Sequence, residues 1–361
     1  VEALAECADE ICSRLRSAKR PIIIVDVEVR RYRLEARVAQ LARAFRVPVV
    51  TTFMGRGLMA DAADVTLGTY LGGASSARVK RAVEGADAAL LLGVIVSDTN
   101  FALSAHMLDP RTAMRAIDRG VRVGHHEYAN IPLDALIDAL LARAPRGKKG
   151  RKHWRVSEDK SLARSFRHRL KRDDNPIQPS DVATAVNELF AKHGPMPMTS
   201  DVGDCLFTAM EIEHSELAAP AYYAGMGFGV PAGMGIAAAT GVRPLILVGD
   251  GAFQMTGFEL GNCRRYGLDP IVLVFDNQSW EMLRAFQPES AFNNLDDWHF
   301  AAIASHLGGH GDRVHTRNEL VRALDEAIAR RGIFSLIEIM LPRGVTSDTL
   351  ARFVRDFRKS R

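Results

Sequence analysis

Along most of this 361-residue chain, apolar runs the length of buried strands alternate with amphipathic stretches of helical period. Residues 21–26 (PIIIVD), 47–52 (VPVVTT) and 88–93 (AALLLG) are continuous or nearly continuous apolar runs, the pattern of parallel strands covered on both faces. Residues 4–16 and 33–45 between them read as helices, and 79–85 leads into the third strand. Weaker strand candidates follow at 115–118 and 122–123. In the second half, Ser180-Asp181 ahead of Val182 predicts an N-capped helix. Residues 196–200 lead to a strand end at Asp201-Val202-Gly203-Asp204, and the glycine-rich run 225–241 predicts a close-packed helix. Residues 243–248 and 271–275 are further buried strands flanking a helical stretch from 253 to about 266, and 334–339 is a strand expected to close the sheet. This alternation predicts an α/β chain with two doubly wound parallel-sheet domains, at 1–142 and 179–361, joined by a linker at 143–178.

Composition changes this picture little. An apolar fraction of 47% with 25% charged residues is that of an ordinary globular protein, and a net charge of +4 implies no general affinity for polyanions. The linker is different, with thirteen Lys or Arg against two acids between Arg143 and Arg172. With Trp154 and Phe166 interleaved it has the composition of a nucleic-acid contact, but a solvated connector is the reading adopted, with His153 and His168 on its surface. Cys7, Cys12, Cys205 and Cys263 lack metal-site spacing and read as reduced thiols. No apolar run approaches the ~20 residues of a membrane span, so a cytoplasmic protein with no membrane or nucleic-acid partner is expected.

Candidate chemistry concentrates at two strand ends. Gly249-Asp250-Gly251 leaves one buried strand and Asn277 ends the next, which brings a carboxylate and an amide oxygen to one rim of the sheet. That is the oxygen set a hard cation such as Mg²⁺ takes while it also holds phosphates. Gly249 and Gly251 would let the backbone approach a diphosphate. Asp276 precedes Asn277 on the strand, so its side chain should point the other way, and it is not counted as a ligand.

GDG followed, about 25 residues later, by an apolar strand ending in Asn resembles the thiamine diphosphate signature. The block from GDGAFQMTGFELGNC to AFNNLDDW, together with SDVGDCLFTAM, AGMGFGVPAGMGIAA, VVTTFMGRGLMAD and LLGVIVSDTNF, is similar to the thiamine diphosphate-dependent 2-oxo acid decarboxylases, in particular their phenylpyruvate and indolepyruvate branch. The resemblance implies a middle domain followed by the diphosphate-binding domain, and non-oxidative decarboxylation of an aromatic 2-oxo acid to the aldehyde. It implies Mg²⁺ on Asp250, Asn277 and the backbone oxygen of Ser279, with the amides of Gly251 and Ala252 at the diphosphate. Met226 matches the residue that props the bent cofactor, and Ala224, Gly225 and the Asp204 region would line its pyrimidine. Leu283 stands where pyruvate decarboxylases carry Glu, which suits an aromatic tail. Trp280, Met282, Phe286 and Phe292 are further candidates for that wall, each more often core, while Glu281 and Arg284 are expected to face solvent.

Further expectations follow from the same resemblance. Thr99-Asn100-Phe101 is a candidate site wall in the first domain, where Gly55-Arg56-Gly57 and Gly72-Gly73 read as loop glycines and no cofactor is expected. The tail, 347–357, would be a helix covering the active site. The chain opens on Val1 at a helix, so the domain carrying the activating Glu and a His pair is expected to be missing from it. His125-His126, placed in a loop, is no substitute, and little turnover is expected of this chain alone. A homodimer or homotetramer is implied. An acetolactate synthase-like carboligase and a non-catalytic thiamine diphosphate-binding subunit of a split enzyme remain open beside the decarboxylase.

Overall fold

The structure is a computed structural model, which describes residues 2–101, 109, 111–145, 169–213 and 215–359. Most of the basic linker, with His153, Trp154, Phe166 and His168, lies outside these residues. The chain divides into two compact units, Val1–Arg164 and Ser165–Arg361.

In the first unit seven strands form one sheet: β1 (Pro21–Val25), β2 (Val49–Thr51), β3 (Thr66–Thr69), β4 (Ala88–Leu92), β5 (Ala113–Ile117), β6 (Gly120–Val123) and β7 (His126–Tyr128). Their order is β3-β2-β1-β4-β5-β6-β7, with β1 to β5 parallel and β6 and β7 antiparallel. The antiparallel edge is a departure from the expected all-parallel sheet. The two residues joining β5 and β6, Asp118 and Arg119, both have positive φ, at 48° and 63°. That is the geometry of a two-residue turn matched to strand twist, and it supplies the hairpin with no glycine at either turn position. His126 lies in β7 rather than in a loop, with Nδ1 2.9 Å from Glu10 Oε2.

One face of this sheet is covered by the helix Glu2–Ser17, whose Cys7, Ala8, Ile11, Cys12 and Leu15 recur at three- and four-residue spacing. The helices Glu35–Phe45 and Leu133–Ala142 pack on the same face, and the opposite face is covered by Tyr70, Val79, Val83 and Phe101. All four cysteines are free and buried.

The second unit holds β8 (Met198–Ser200), β9 (Leu217–Ala218), β10 (Leu245–Gly249), β11 (Ile271–Asp276), β12 (His310–Val314) and β13 (Ser335–Met340). The order is β12-β13-β11-β10-β8-β9, all neighbours parallel. The strand read as closing the sheet, β13, is therefore internal, and the edge belongs to β12, whose polar sequence HGDRV hides it. The helix Pro179–His193 starts one turn earlier than expected: Gln178 is its N-cap, Pro179 opens it and Asp181 completes a capping box. Between β10 and β11 the helix Asp250–Thr256 gives way to a 3₁₀ segment, Gly257–Asn262, before Cys263–Tyr266 resumes the α geometry. At Gly233 in the helix Gly229–Thr240 an added Cβ would come within 2.4 Å of Ile246 and 3.0 Å of Thr199, so the helix lies hard against β8 and β10. No described helix is long and apolar enough to cross a membrane.

Candidate active site

Chain order reverses at β8 and β10, so the crevice for a ligand lies at their carboxyl ends. Register puts Gly249 opposite Phe275, and the residues that follow, Asp250 and Asn277, leave adjacent strand ends. Asp250 is buried, and its two oxygens accept the N–H groups of Gly251 at 2.8 Å and Ser279 at 3.1 Å. Burial pushes its carboxyl up to about 6, and the surrounding backbone N–H groups pull it back. Asn277 is buried as well, and its Oδ1 has no hydrogen-bond partner. A buried carboxylate without a side-chain cation beside a buried amide oxygen without a donor is costly unless something positive completes it.

Strand alternation sends Asp276 elsewhere. It forms a separate group with Asp297 and Glu338, their oxygens within 4.8 Å of one another. Its carboxyl is raised by burial, then by the Glu338 hydrogen bond and the charge of Asp250.

A cavity of about 280 Å³ opens over these strand ends, bounded by Val202–Cys205, Ala224, Met226, Gly249–Ala252, Phe275, Asn277 and Ser279–Leu283. Met226 and Leu283 lie on its wall with 42% and 47% of their surfaces exposed, as do Trp280 and Met282. The two glycines of the GDG turn differ. Space beside Gly249 is open, whereas a Cβ on Gly251 would stand 2.2 Å from the Trp280 indole nitrogen. The Gly251 N–H, expected at a diphosphate, is held by Asp250 in this structure. Ala224 has φ of +54°, a strained conformation for a residue with a side chain, and Gly227 beside it has φ of +89°.

Asp201, which the sequence reading passed over, organises this loop. Its carboxylate accepts the N–H groups of Val202 at 2.9 Å, Gly227 at 3.1 Å and Gly229 at 2.6 Å. The signal was its place directly after β8, where a carboxylate meets the glycine-rich turn.

Hydrogen bonds and packing decide the use of the remaining residues. Asp204 reaches the cavity, but its carboxylate is taken by Ser347, whose N–H donates at 2.8 Å and whose hydroxyl donates to the other oxygen. Burial pushes Asp204 up to about 7, against those hydrogen bonds, and the charges of Glu211 and Glu281 add to the rise. Ser347 in turn caps the helix Asp348–Lys359 through Leu350 N–H at 3.1 Å. That helix sets Phe353 against Phe207 and Phe286, and Phe357 against Phe286, so Phe286 serves this packing rather than the cavity. Phe292 lies outside the cavity on the Trp280 ring, 72% exposed. Glu281 and Arg284 do not face solvent: Glu281 is 6% exposed and lines the cavity, and Arg284 is bonded to Ser279 Oγ. In the first unit, Asn100 is used internally and Phe101 is core, so neither forms a site wall there.

These residues fit a hard divalent cation and a diphosphate: oxygen donors, one of them orphaned, an open approach at Gly249, and an apolar wall. Comparison with known proteins agrees. Residues 8–141 match the thiamine pyrophosphate enzyme central domain, and 201–339 match the thiamine pyrophosphate enzyme C-terminal TPP binding domain. The chain is 56% identical over 356 residues to the indole-3-pyruvate decarboxylase of Azospirillum brasilense, covering 98% of this chain and 64% of that protein. It is 25% identical over 360 residues to the pyruvate decarboxylase of Candida glabrata, covering 94% and 62%. With the alpha-keto-acid decarboxylase of Mycobacterium tuberculosis (H37Rv) the figures are 28% over 332 residues, 89% and 58%. The chain thus spans about three fifths of the length of these relatives.

Proposed function

The chain belongs to the thiamine pyrophosphate enzymes, as their central and C-terminal TPP-binding domains, and from this we propose that the complete protein is a 2-oxo acid decarboxylase acting on an aromatic substrate. The observation that carries the reading is the pairing of Asp250 with the orphaned Asn277 oxygen beneath a cavity walled by Met226 and Leu283. Bound thiamine diphosphate would supply the electron sink that lets a 2-oxo acid lose carbon dioxide.

The protein's part is to position and to exclude. Asp250, Asn277 and the Ser279 carbonyl would hold Mg²⁺, and the turn at Gly249–Ala252 would hold the diphosphate. Met226 would prop the cofactor, while Ala224, Gly225 and the wall at Asp204 would line its pyrimidine. Leu283, with Met282 and Trp280, gives the substrate side an apolar surface. That surface would favour an aromatic tail and exclude water from the reacting carboxylate. The protein acts in the cytoplasm as a homodimer or homotetramer.

The test is aldehyde formation by the complete protein with thiamine diphosphate and Mg²⁺. Phenylpyruvate or indole-3-pyruvate should be turned over with a kcat/KM at least tenfold above pyruvate. Leu283→Glu should narrow or reverse that ratio. Equal use of pyruvate, or acetolactate as the main product, would replace this reading by another activity of the same cofactor.

A further inference from the structure

Ser279 is tied on every side. Its N–H donates to Asp250 Oδ2 at 3.1 Å, its hydroxyl donates to Asn293 O at 3.1 Å, and that hydroxyl accepts Arg284 Nε–H at 2.8 Å. Another N–H of the same guanidinium donates to Asn294 Oδ1. Trp280 N–H to Asn293 O at 3.0 Å and Leu295 N–H to Gln278 O at 2.9 Å clip the segment 278–280 to the segment 293–295. Beside this stands Glu281, 6% exposed, its Oε2 3.6 Å from Arg284 Nε and without a hydrogen-bond donor. A buried acid one turn before a part-buried arginine stands as its counter-charge.

We infer that Arg284, held by Glu281, is a positioning residue for the metal loop. The inference rests on the reading of Asp250 and Asn277 as Mg²⁺ ligands. Arg284 makes two directed bonds from one rigid plane, one to each side of the clip, so it fixes the Ser279 side chain and with it the backbone path from Asn277 to Trp280. Mg²⁺ demands a near-ideal octahedron, whereas Ca²⁺ accepts irregular and larger oxygen sets. A loop whose outer support is lost should therefore lose Mg²⁺ affinity while keeping most of its affinity for Ca²⁺. General loss of fold would weaken both alike.

The experiment titrates Mg²⁺ and, separately, Ca²⁺ into the complete protein at saturating thiamine diphosphate, following cofactor binding by calorimetry. Arg284→Met should weaken Mg²⁺ binding by roughly 10–100-fold, the range for outer supports of metal ligands, with a change of less than about threefold for Ca²⁺. Glu281→Gln should lie between wild type and Arg284→Met. Unchanged Mg²⁺ affinity in Arg284→Met, or equal losses for both ions, overturns the inference. Should Arg284→Met fail to fold, Ser279→Ala keeps the carbonyl and removes only the hydroxyl that Arg284 grips. It should show the same selective loss, and unchanged Mg²⁺ affinity there would also refute the role. Asp250→Ala separates the two levels: if it still binds the cofactor in an Mg²⁺-dependent way, the underlying site assignment fails.

Discussion

Beyond the carboxyl ends of β1 and β4 a buried Asn oxygen has its donor, whereas beyond β10 and β11 a buried Asn oxygen has none. In the first unit, Asn100 donates to Asp26 at 2.7 Å and to Ile95 O at 2.7 Å, and accepts Met54 N–H at 2.9 Å. Burial lifts the Asp26 carboxyl, and hydrogen bonds from Thr52, Ile95 and Asn100 pull it back. In the second unit, Asn277 Oδ1 has no donor and Asp250 has only backbone N–H groups. Residue types are alike, so they do not by themselves make a site. What differs is the amide oxygen, met by Met54 N–H at Asn100 and unmet at Asn277, while one oxygen of Asp26 is also without a partner. A doubly wound sheet provides the place for a ligand, and an unmet amide oxygen beside a carboxylate at that place provides the demand for one.

The comparison can be broken at its strongest point first. Asp250→Ala should lower Mg²⁺-dependent thiamine diphosphate affinity by more than about 100-fold, beyond the cost of losing an outer support, while leaving the melting temperature of the apo protein unchanged or higher. A large drop in apo stability with binding intact would make Asp250 a structural residue like Asp26. Next in size, Asn100→Ala should destabilise the first unit by about 2–3 kcal/mol, because it removes a donor from a buried carboxylate and leaves Ile95 O and Met54 N–H unpaired. Cofactor affinity should not move, and calorimetric melting with binding titration reads both. Loss of binding together with stability would mean that the two strand ends are not the separate cases described.

A third prediction concerns Asp204, whose burial lifts it to about 7. A carboxyl raised in the folded state favours folding fully below its unfolded value near 4, and that contribution is lost as pH climbs through about 7. Wild type should therefore lose thermal stability relative to Asp204→Asn between pH 5 and 8, by more than about 3 °C. Parallel melting curves across that range would show that the Ser347 contacts offset the burial completely.

Legibility followed burial. β1, β4, β10 and β11 were readable because strands covered on both faces are continuous apolar runs. β3, β7 and β12, with the sequences TLGT, HEY and HGDRV, are part-polar strands of the sheet edges, where composition no longer separates strand from loop. The two strand ends and the residues of the cavity wall were visible as types in sequence. Their hydrogen-bonding state was not, and it changes the meaning of several. Asp204 is on the wall but bonded to Ser347. Gly251 is required by the Trp280 indole. Glu281 and Arg284, charged and on a short helix, carried the ordinary expectation of solvent; Glu281 instead lines the cavity and Arg284 is held by Asn294, contacts with no local signature.

The most direct measurement is a crystal structure of the complete protein with thiamine diphosphate and Mn²⁺ in place of Mg²⁺, located by anomalous scattering. The account predicts one strong peak about 2–2.5 Å from an Asp250 oxygen, from Asn277 Oδ1 and from the Ser279 carbonyl. A peak at Asp276, Asp297 and Glu338 instead, with Asn277 Oδ1 still without a partner, would contradict it.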